Sequence, residues 1–412
     1  MESAISFEIA KHLLLSFAVV LAAGAISGFL SQKMNLPDVA LYLVAGILLG
    51  PEVTGLLRVP AGTALNQIIL IFGACYILFD GGASVRLKVL KKIWITLAAL
   101  STFGVLVMTA VTGLASHYVL GLPLITSMLL GAAVAPTDPA TIIPIFRQVR
   151  IKERVSQALI SESAFNDATG SVITFAILSV AAGSAGFSLS TSLLNLLEQS
   201  VVGIIIGLVM GYLALLLIAH EKYDFLAKYA PVITMMAVVG TYLGAEDLQA
   251  SGFTAVFVFG IMLGNKRTFG FQMKLEEKEK LEEYVARTAM IMRMFIFILL
   301  GSQVDFGLMS KFLFGGIIIT LLFMLVARPT TVFLCSLPDR RAKWSFNELL
   351  FMCWTRETGV IPAALAGLLL GRKVPGAQTI AAVTFIVILM TILIQATTTK
   401  WLAGKLGLLE EG

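Results

Sequence analysis

Charged residues are scarce in this chain. Asp, Glu, Lys and Arg make up only 13% of its 412 residues, whereas apolar residues make up 58%. The apolar residues fall in long uninterrupted runs rather than alternating with polar ones, which excludes an ordinary soluble domain. A helix of about 20 apolar residues spans the hydrocarbon core of a bilayer. The sequence therefore predicts an all-α polytopic membrane protein.

Histidine and cysteine are also few, at three residues each. The histidines lie far apart in sequence, and the cysteines fall inside apolar runs, so we expect neither a histidine metal centre nor a disulfide. The chain contains no Gly-x-Gly-Asp motif, which argues against an intramembrane aspartyl protease. We therefore expect no cofactor and no enzymatic activity.

The apolar runs predict about 13 transmembrane helices, centred near residues 21, 44, 73, 104, 134, 168, 207, 237, 258, 293, 323, 359 and 390. Most of the basic residues fall in alternate loops, among them Arg86–Lys92, Arg147–Arg154 and Lys266–Lys280. The positive-inside rule makes these loops cytoplasmic. The odd span count then puts the N-terminus outside and the C-terminus inside the cell (inner) membrane. The net charge of +5 is explained by basic cytoplasmic loops that lie beside anionic membrane lipid, so no nucleic acid is expected as a partner.

The two halves of the chain are weakly similar. The matched segments are Leu43–Gly50 with Phe257–Gly264, Asp138–Pro144 with Arg356–Pro362 and, more loosely, Phe79–Gly82 with Leu299–Ser302. Corresponding spans are seven apart, an odd number, so the two copies run in opposite directions across the membrane. We predict a first inverted six-helix repeat at 1–183, a connector span at 184–224 and a second inverted repeat at 225–412.

Interrupted helices indicate where the site lies. In secondary transporters built from inverted repeats, paired Pro- or Gly-broken helices meet near the midplane beside the ion site. Here the fifth span carries Pro136 and Pro139, and the twelfth carries Gly359. Asp138 and Arg356 occupy equivalent positions in these two spans. Their opposite charges suit either compensation of two half-helix ends or direct handling of an ion.

The sixth span carries side chains suited to a cation. Glu162 and Asn166 are one helical turn apart, as are Ser163 and Asp167, so the four groups form one polar strip. Ionisable groups at this depth mark ion or proton pathways. The Asp167 carboxylate can bind either a hard cation or a proton and can thus exchange one for the other. For Ser163 and Asn166 the alternative is polar packing between helices.

These motifs resemble the NhaP/NHE branch of the cation:proton antiporters. The resemblance rests on Thr137-Asp138-Pro139, on Glu162-Ser163 with Asn166-Asp167, on Arg328 and on Arg356 in an interrupted late helix. It implies an NhaA-like fold with crossed interrupted helices. It also implies a homodimer that exchanges a monovalent cation, Na+ and also Li+, for H+ in an electroneutral, elevator-type cycle. K+ in place of Na+, or sodium-coupled solute symport on a related fold, are the alternatives.

The resemblance assigns roles to individual residues. Asp167 would bind the cation or the proton in competition, and Thr137, Asp138 and Ser163 would complete the site. The ligands of the transported Na+ would be Asp167, Ser163 and Thr137. The supporting residues would be Asn166, which holds the crossing together, Glu162 paired with Arg328, and Arg356.

Three further charges stand apart from this pattern. Glu357 follows Arg356 where many relatives have Gly, which adds an acid beside the pathway. Asp80 ends the third span, where a solvated acid is expected and a place in an ion funnel is the alternative. Arg293 lies within the tenth span and needs a partner that the sequence does not identify.

Overall fold

The computed structural model describes residues 2–34, 36–60, 62–181, 189–219 and 224–410, which are helical in most of their length. The α-helices are α1 (Glu2–Met34), α2 (Asp38–Leu49), α3 (Ala64–Ser84), α4 (Leu87–Ala99), α5 (Val105–Leu120), α6 (Leu124–Val134), α7 (Pro139–Gln148), α8 (Glu153–Ala181), α9 (Leu189–Ala219), α10 (Ala230–Asp247), α11 (Gly252–Gly264), α12 (Leu275–Ser302), α13 (Phe306–Leu322), α14 (Arg328–Ser336), α15 (Phe346–Trp354), α16 (Val360–Gly371), α17 (Ala377–Met390) and α18 (Thr397–Lys405).

Three of these helices run into the next one through a π-helical turn. Leu100–Gly104 joins α4 to α5, Phe323–Ala327 joins α13 to α14, and Thr391–Ala396 joins α17 to α18. In the described ranges, eight helical stretches are long and apolar enough to cross a membrane, and α2, α6, α11 and α16 are shorter apolar helices. The prediction of an all-α integral membrane protein is confirmed. The count of 13 spans stays a prediction. Residues 184–188 and 220–223 of the predicted connector lie outside the described residues, as do residues 182–183 at the end of the predicted first repeat.

The helices pack into two bundles. α3 packs on α11 and α12, α2 packs on α12, and α11 also contacts α9 and α10, so α1–α3 with α9–α12 form what we call the flanking bundle. α5 packs on α6 and α13, α17 packs on α13 and α16, and α8 contacts α4 and α6. We call α4–α8 with α13–α18 the site bundle. An apolar cluster that includes Leu43, Ile160 and Phe351 joins the two bundles.

Close backbone contacts relate the two halves of the flanking bundle. Gly260 in α11 lies against the carbonyl of Phe79 in α3, too close for any Cβ, and Gly46 in α2 lies in the same way against the carbonyl of Ile298 in α12. The other two pairs are Gly264 with Ala83, matched by Gly50 with Ser302, and Gly82 with Phe257, matched by Gly301 with Leu43. Each contact between α11 and α3 thus has an equivalent contact between α2 and α12. The sequence match of Leu43–Gly50 with Phe257–Gly264 therefore has a structural counterpart.

The same contacts correct the looser sequence match. Phe79 is equivalent to Ile298, and Gly82 is equivalent to Gly301, so the pairing of Phe79–Gly82 with Leu299–Ser302 is wrong by one residue. The glycine that permits the close approach decides the alignment, because a Cβ there would overlap a facing carbonyl.

The expected solvated position of Asp80 is also wrong. Asp80 is only 3% exposed and lies one turn before the end of α3. The reason is the close packing of α3 on α11, since the glycine contacts bring the two backbones together at this level and exclude water from the end of α3.

Candidate cation and proton site

Two helices of the site bundle are interrupted, as predicted. α6 ends at Val134 and α7 begins at Pro139, with four non-helical residues between them. Proline lacks the backbone N–H of a helical hydrogen bond and its ring clashes with the preceding turn, so Pro136 and Pro139 prevent a continuous helix. α15 ends at Trp354 and α16 begins at Val360, with five non-helical residues between them.

The two interruptions touch each other. The backbone N–H of Asp138 donates a hydrogen bond to the carbonyl of Glu357 at 2.9 Å. Gly359 lies directly against the carboxylate of Asp138, and a Cβ at this glycine would overlap it. The unwound segments therefore cross at Asp138 and Gly359, and both segments are buried.

Asp138 and Arg356 lie at helix ends of opposite polarity. A terminal nitrogen of Arg356, Nη2, donates to the carbonyl of Ala135 at the C-terminal end of α6, and its guanidinium lies 4.9 Å from the ring centre of Phe323. Asp138 immediately precedes α7, and its carboxylate accepts a hydrogen bond of 3.0 Å from the hydroxyl of Thr141. A cation at a helix C-terminus and an anion at an N-terminus are both stabilised by the peptide dipoles. The geometry therefore fits compensation of the half-helix ends.

Asn166 joins α8 to the first interruption. Its amide oxygen accepts a hydrogen bond from the backbone N–H of Thr137 at 3.1 Å, and its amide nitrogen donates to the Thr137 hydroxyl at 2.7 Å. Both residues are buried. One side chain thus satisfies a donor and an acceptor of the unwound segment, groups that would be costly if left unpaired in an apolar environment.

Asp167 and Ser163 lie next to this junction on α8. Asp167 is 1% exposed and Ser163 is fully buried. Among the residues that the structure describes, the two carboxylate oxygens of Asp167 have no hydrogen-bond partner. The same is true of the hydroxyl oxygen of Ser163. Asp138 is near enough to act on Asp167 electrostatically. A buried carboxylate with free lone pairs can bind a cation or a proton, and Ser163 and Thr137 can add neutral oxygens.

Glu162 has a different environment. Its carboxylate accepts hydrogen bonds of 2.5 and 3.0 Å from Arg328, whose Nε donates to the carbonyl of Met352 at 2.9 Å. Glu162 and Arg328 are 2% and 1% exposed. The expected pair is therefore present, and it connects α8, α14 and α15.

Several polar residues near the crossing were not selected from the sequence. Thr391 accepts a hydrogen bond of 3.2 Å from the backbone N–H of Thr358, and Gln395 donates one of 2.5 Å to the carbonyl of Trp354. Both belong to the π-helical turn between α17 and α18, a feature that is often found at functional sites. The sequence signal that could have identified Thr391 and Gln395 is that they are polar residues in an otherwise apolar thirteenth span. Glu357, which the sequence analysis did note, is fully buried, and neither carboxylate oxygen accepts a hydrogen bond within the described residues.

The partner of Arg293 is Asp38. The two charges lie 3.7 Å apart, both nearly buried, where α12 packs on α2 in the flanking bundle. Asp38 follows Pro37 at the start of α2, and it was not recognised from the sequence as the partner of Arg293. This pair belongs to the flanking bundle and takes no part in the site.

A cavity of about 340 Å³ lies between the bundles. Ser31, Gln32 and Pro37 line it from the flanking bundle, and Ile145, Val149 and Lys400 are among its lining residues on the site bundle. Ile145 is about two turns beyond Asp138 along α7. The two bundles therefore leave a space next to the half-helix that follows the first interruption.

The crossed interrupted helices and the buried carboxylate beside them define a membrane transporter for small cations. Comparison with known proteins narrows this class. A family model described as "Sodium/hydrogen exchanger, transmembrane" matches residues 17–405, and the chain belongs to that family.

Individual relatives extend over nearly the whole chain. The chain is 30% identical to Na(+)/H(+) antiporter 1 of Methanocaldococcus jannaschii over 94% of both proteins. It is 27% identical to the Na(+)/H(+) antiporter ApNhaP of Aphanothece halophytica, covering 99% of this chain and 78% of the relative. It is also 26% identical to the K(+)/H(+) antiporter NhaP of Alkalimonas amylolytica, covering 94% and 66%. The solved structure of a sodium proton antiporter from Methanocaldococcus jannaschii at pH 8 superposes with a TM-score of 0.77 at 28% identity, covering 96% of this chain and 99% of that one.

Proposed function

We propose that this chain is a secondary active antiporter that exchanges Na+, and also Li+, for H+ across a membrane. The cation and the proton compete for Asp167, and one is exchanged for the other without net charge movement. Ser163, Thr137 and Asp138 complete the binding site. The family to which the chain belongs and the similarity to Na+/H+ antiporters support the reaction.

The environment of Asp167 is the observation that carries this proposal. Its carboxylate is buried beside the crossing, and its oxygens accept no hydrogen bond from the described residues. A buried charge without a partner is strongly unfavourable, so the group is stable only when a cation or a proton neutralises it. Glu162, the other acid of this helix strip, is already neutralised by Arg328 and cannot serve in the same way.

The division into two bundles supports an elevator-type cycle. Asp167, both interruptions and the Glu162–Arg328 pair all belong to the site bundle, so the bound cation would move with that bundle past the flanking bundle. The Glu162–Arg328 pair and the Asn166–Thr137 bonds hold the parts of the site together during such a movement. The cavity between the bundles supports access to the site from the cytoplasmic side.

The proposal extends to the arrangement in the membrane. The chain forms two inverted repeats, 1–183 and 225–412, joined by 184–224, with the N-terminus outside and the C-terminus in the cytoplasm of the cell. The repeated glycine contacts of the flanking bundle support the repeat. A homodimer is expected, and α1 offers an exposed apolar surface for lipid or for a second copy, with Leu14 at 72% and Phe29 at 66% exposure.

K+/H+ exchange is the second candidate, because the relative from Alkalimonas amylolytica is a K(+)/H(+) antiporter at an identity close to that of the Na+/H+ relatives. Hydroxyl and carboxylate oxygens suit either ion, so the ligand types do not decide between them. The cation that moves must be measured directly.

Purified protein in proteoliposomes loaded with a pH-sensitive dye tests both candidates. We expect Na+ and Li+ to dissipate an imposed pH gradient, and K+ to do so only if the second candidate is correct. Clamping the membrane potential with valinomycin and K+ should leave the rate of Na+-driven exchange unchanged. Proton movement that requires an added organic solute would instead indicate symport and would contradict the proposal.

A further inference from the structure

The short connector between α3 and α4 joins the two bundles. α3 ends at Ser84, Val85 and Arg86 are extended, and α4 begins at Leu87. α3 is fixed to α11 of the flanking bundle by the glycine contacts, whereas α4 packs on α8 of the site bundle. Any movement of the site bundle past the flanking bundle must therefore change the geometry of this connector, as of the other segments that join the bundles.

Asn265 binds the connector from the flanking bundle. It lies at the C-terminal end of α11, and its amide nitrogen donates a hydrogen bond of 2.7 Å to the carbonyl of Val85. Its amide oxygen accepts one of 3.3 Å from the backbone N–H of Leu87. The same nitrogen also donates to the carbonyl of Ile261 in its own helix at 2.8 Å, which fixes the orientation of the side chain.

Gln157 binds the connector from the site bundle in the same manner. Its amide nitrogen donates to the carbonyl of Ser84 at 2.9 Å, and its amide oxygen accepts from the backbone N–H of Arg86 at 2.9 Å. Gln157 is 6% exposed and lies on α8, about 15 Å along the helix from Asp167. It therefore moves with the helix that carries the proposed site.

Each carboxamide thus bridges the end of α3 and the start of α4. A helix end leaves carbonyls without partners, and a helix start leaves N–H groups without partners. The four groups satisfied here are the carbonyls of Ser84 and Val85 and the N–H groups of Arg86 and Leu87. One carboxamide is anchored in each bundle, so a relative displacement of the bundles cannot keep all four hydrogen bonds.

The equivalent connector on the other side of the membrane differs. It follows α12, and there Gln303 donates to the amide oxygen of Asn66 in α3 at 2.8 Å. Both of these helices belong to the flanking bundle, so this contact does not link the bundles. By the glycine alignment Gln303 matches Ser84 of the first connector, and its carboxamide makes this bond within the flanking bundle.

We propose that Gln157 and Asn265 are positioning residues for transport: they form a clamp on the α3–α4 connector that holds the site bundle in the arrangement described here and must open on one side each time the bundle moves. This inference rests on the proposed antiport and elevator movement. The clamp adds to the barrier for that movement and makes no contact with Asp167, so it acts on the rate of exchange and leaves cation binding unchanged.

The test compares Gln157→Ala and Asn265→Ala with wild type in proteoliposomes. We expect each variant to raise the maximal exchange rate at least threefold and to leave the apparent cation affinity within twofold of wild type. The isosteric variants Gln157→Glu and Asn265→Asp, which lose the donated hydrogen bond and keep the side-chain shape, should shift the rate in the same direction. Gln303→Ala is the matched control and should leave the maximal rate within twofold of wild type.

Hydrogen exchange at the amides of Arg86 and Leu87 gives a readout that does not depend on transport. We expect Gln157→Ala to expose the Arg86 amide and Asn265→Ala to expose the Leu87 amide, each exchanging at least tenfold faster than in wild type. Unchanged or lower maximal rates, a changed cation affinity, or unchanged exchange at these two amides would each overturn the clamp. Absence of cation/proton exchange by wild type would refute the proposed function instead, and the amide measurement would still decide whether the clamp exists.

Discussion

Glu162 and Arg328 form a doubly hydrogen-bonded ion pair that is almost completely buried, with N···O distances of 2.5 and 3.0 Å. The pair joins α8, which carries Asp167, to α14, and the third hydrogen bond of Arg328 holds the end of α15. Because each charge is neutralised by the other, we expect the pair to fix the geometry of the site and not to take up the transported ion.

We predict that Glu162→Gln and Arg328→Met are each more destabilising than the double replacement. Removing one partner leaves an unpaired buried charge, at a cost of about 3–5 kcal/mol, whereas removing both leaves a neutral contact. Thermal unfolding in detergent measures the three variants. Destabilisation of the double variant equal to the sum of the singles would show that the two residues are not energetically coupled.

Asp167→Asn should abolish exchange and leave the protein folded. The amide has nearly the shape of the carboxylate, but it cannot take up a proton and it carries no charge to attract a cation. Exchange in proteoliposomes and elution from a size-exclusion column measure the two properties. Transport by this variant at a rate near that of wild type would rule out Asp167 as the shared binding group.

Competition at Asp167 predicts how cation affinity depends on pH. A protonated carboxylate must lose its proton before it binds the cation. In the pH range where Asp167 is mostly protonated, the apparent affinity should therefore weaken about tenfold for each unit fall in pH, equivalent to about 1.4 kcal/mol. Apparent affinities measured at several symmetrical pH values check this. If only the maximal rate varied with pH, a separate pH sensor would replace competition as the explanation.

Gly359→Ala should disrupt the crossing. A methyl group at this position would overlap the Asp138 carboxylate, and overpacking of this kind costs about 1–3 kcal/mol. We expect lower thermal stability together with at least a tenfold loss of exchange, since Asp138 must move. Gly367→Ala is the control on the same helix, because a Cβ there meets no neighbouring atom. Equal effects of the two substitutions would argue against the crossing as the cause.

We predict that Glu348, at the start of α15 and before the predicted membrane span, makes a pH-dependent contribution to stability. Burial alone would raise the pKa of Glu348, but hydrogen bonds from Arg154 and from the backbone N–H of Ser345 lower it below its usual value of 4.5. A lowered pKa in the folded state stabilises the fold above the unfolded pKa, and that contribution is lost as pH falls through the folded pKa.

Glu348→Gln should therefore lower the free energy of unfolding by about 2 kcal/mol at pH 7, the scale of hydrogen bonds to a charged group. The difference from wild type should shrink as the pH falls below about 4.5. Thermal unfolding across this pH range checks the sign, with the exposed Glu279→Gln as the control. A difference that stayed constant with pH would exclude the ionised carboxylate as its origin.

The sequence by itself determined the class of protein, the two helix interruptions and the polar strip of α8. These features follow from local chemistry: long apolar runs need a bilayer, proline cannot continue a helix, and residues four apart on a helix share a face. The repeat was visible in the sequence as Leu43–Gly50 with Phe257–Gly264. The looser match of Phe79–Gly82 failed by one residue, because only the packed glycine contacts fix that alignment.

Only the tertiary structure decided which buried charges meet. Glu162 and Arg328 are 166 residues apart and Asp38 and Arg293 are 255 apart, and the sequence pointed to the first pair only through the family resemblance. The burial of Asp80, the contact of Asp138 with Gly359 and the carboxamide bonds to the α3–α4 connector were likewise not predicted. Each depends on how one helix packs against another, and hydrophobic patterns fix which face of a helix is buried without fixing its partner.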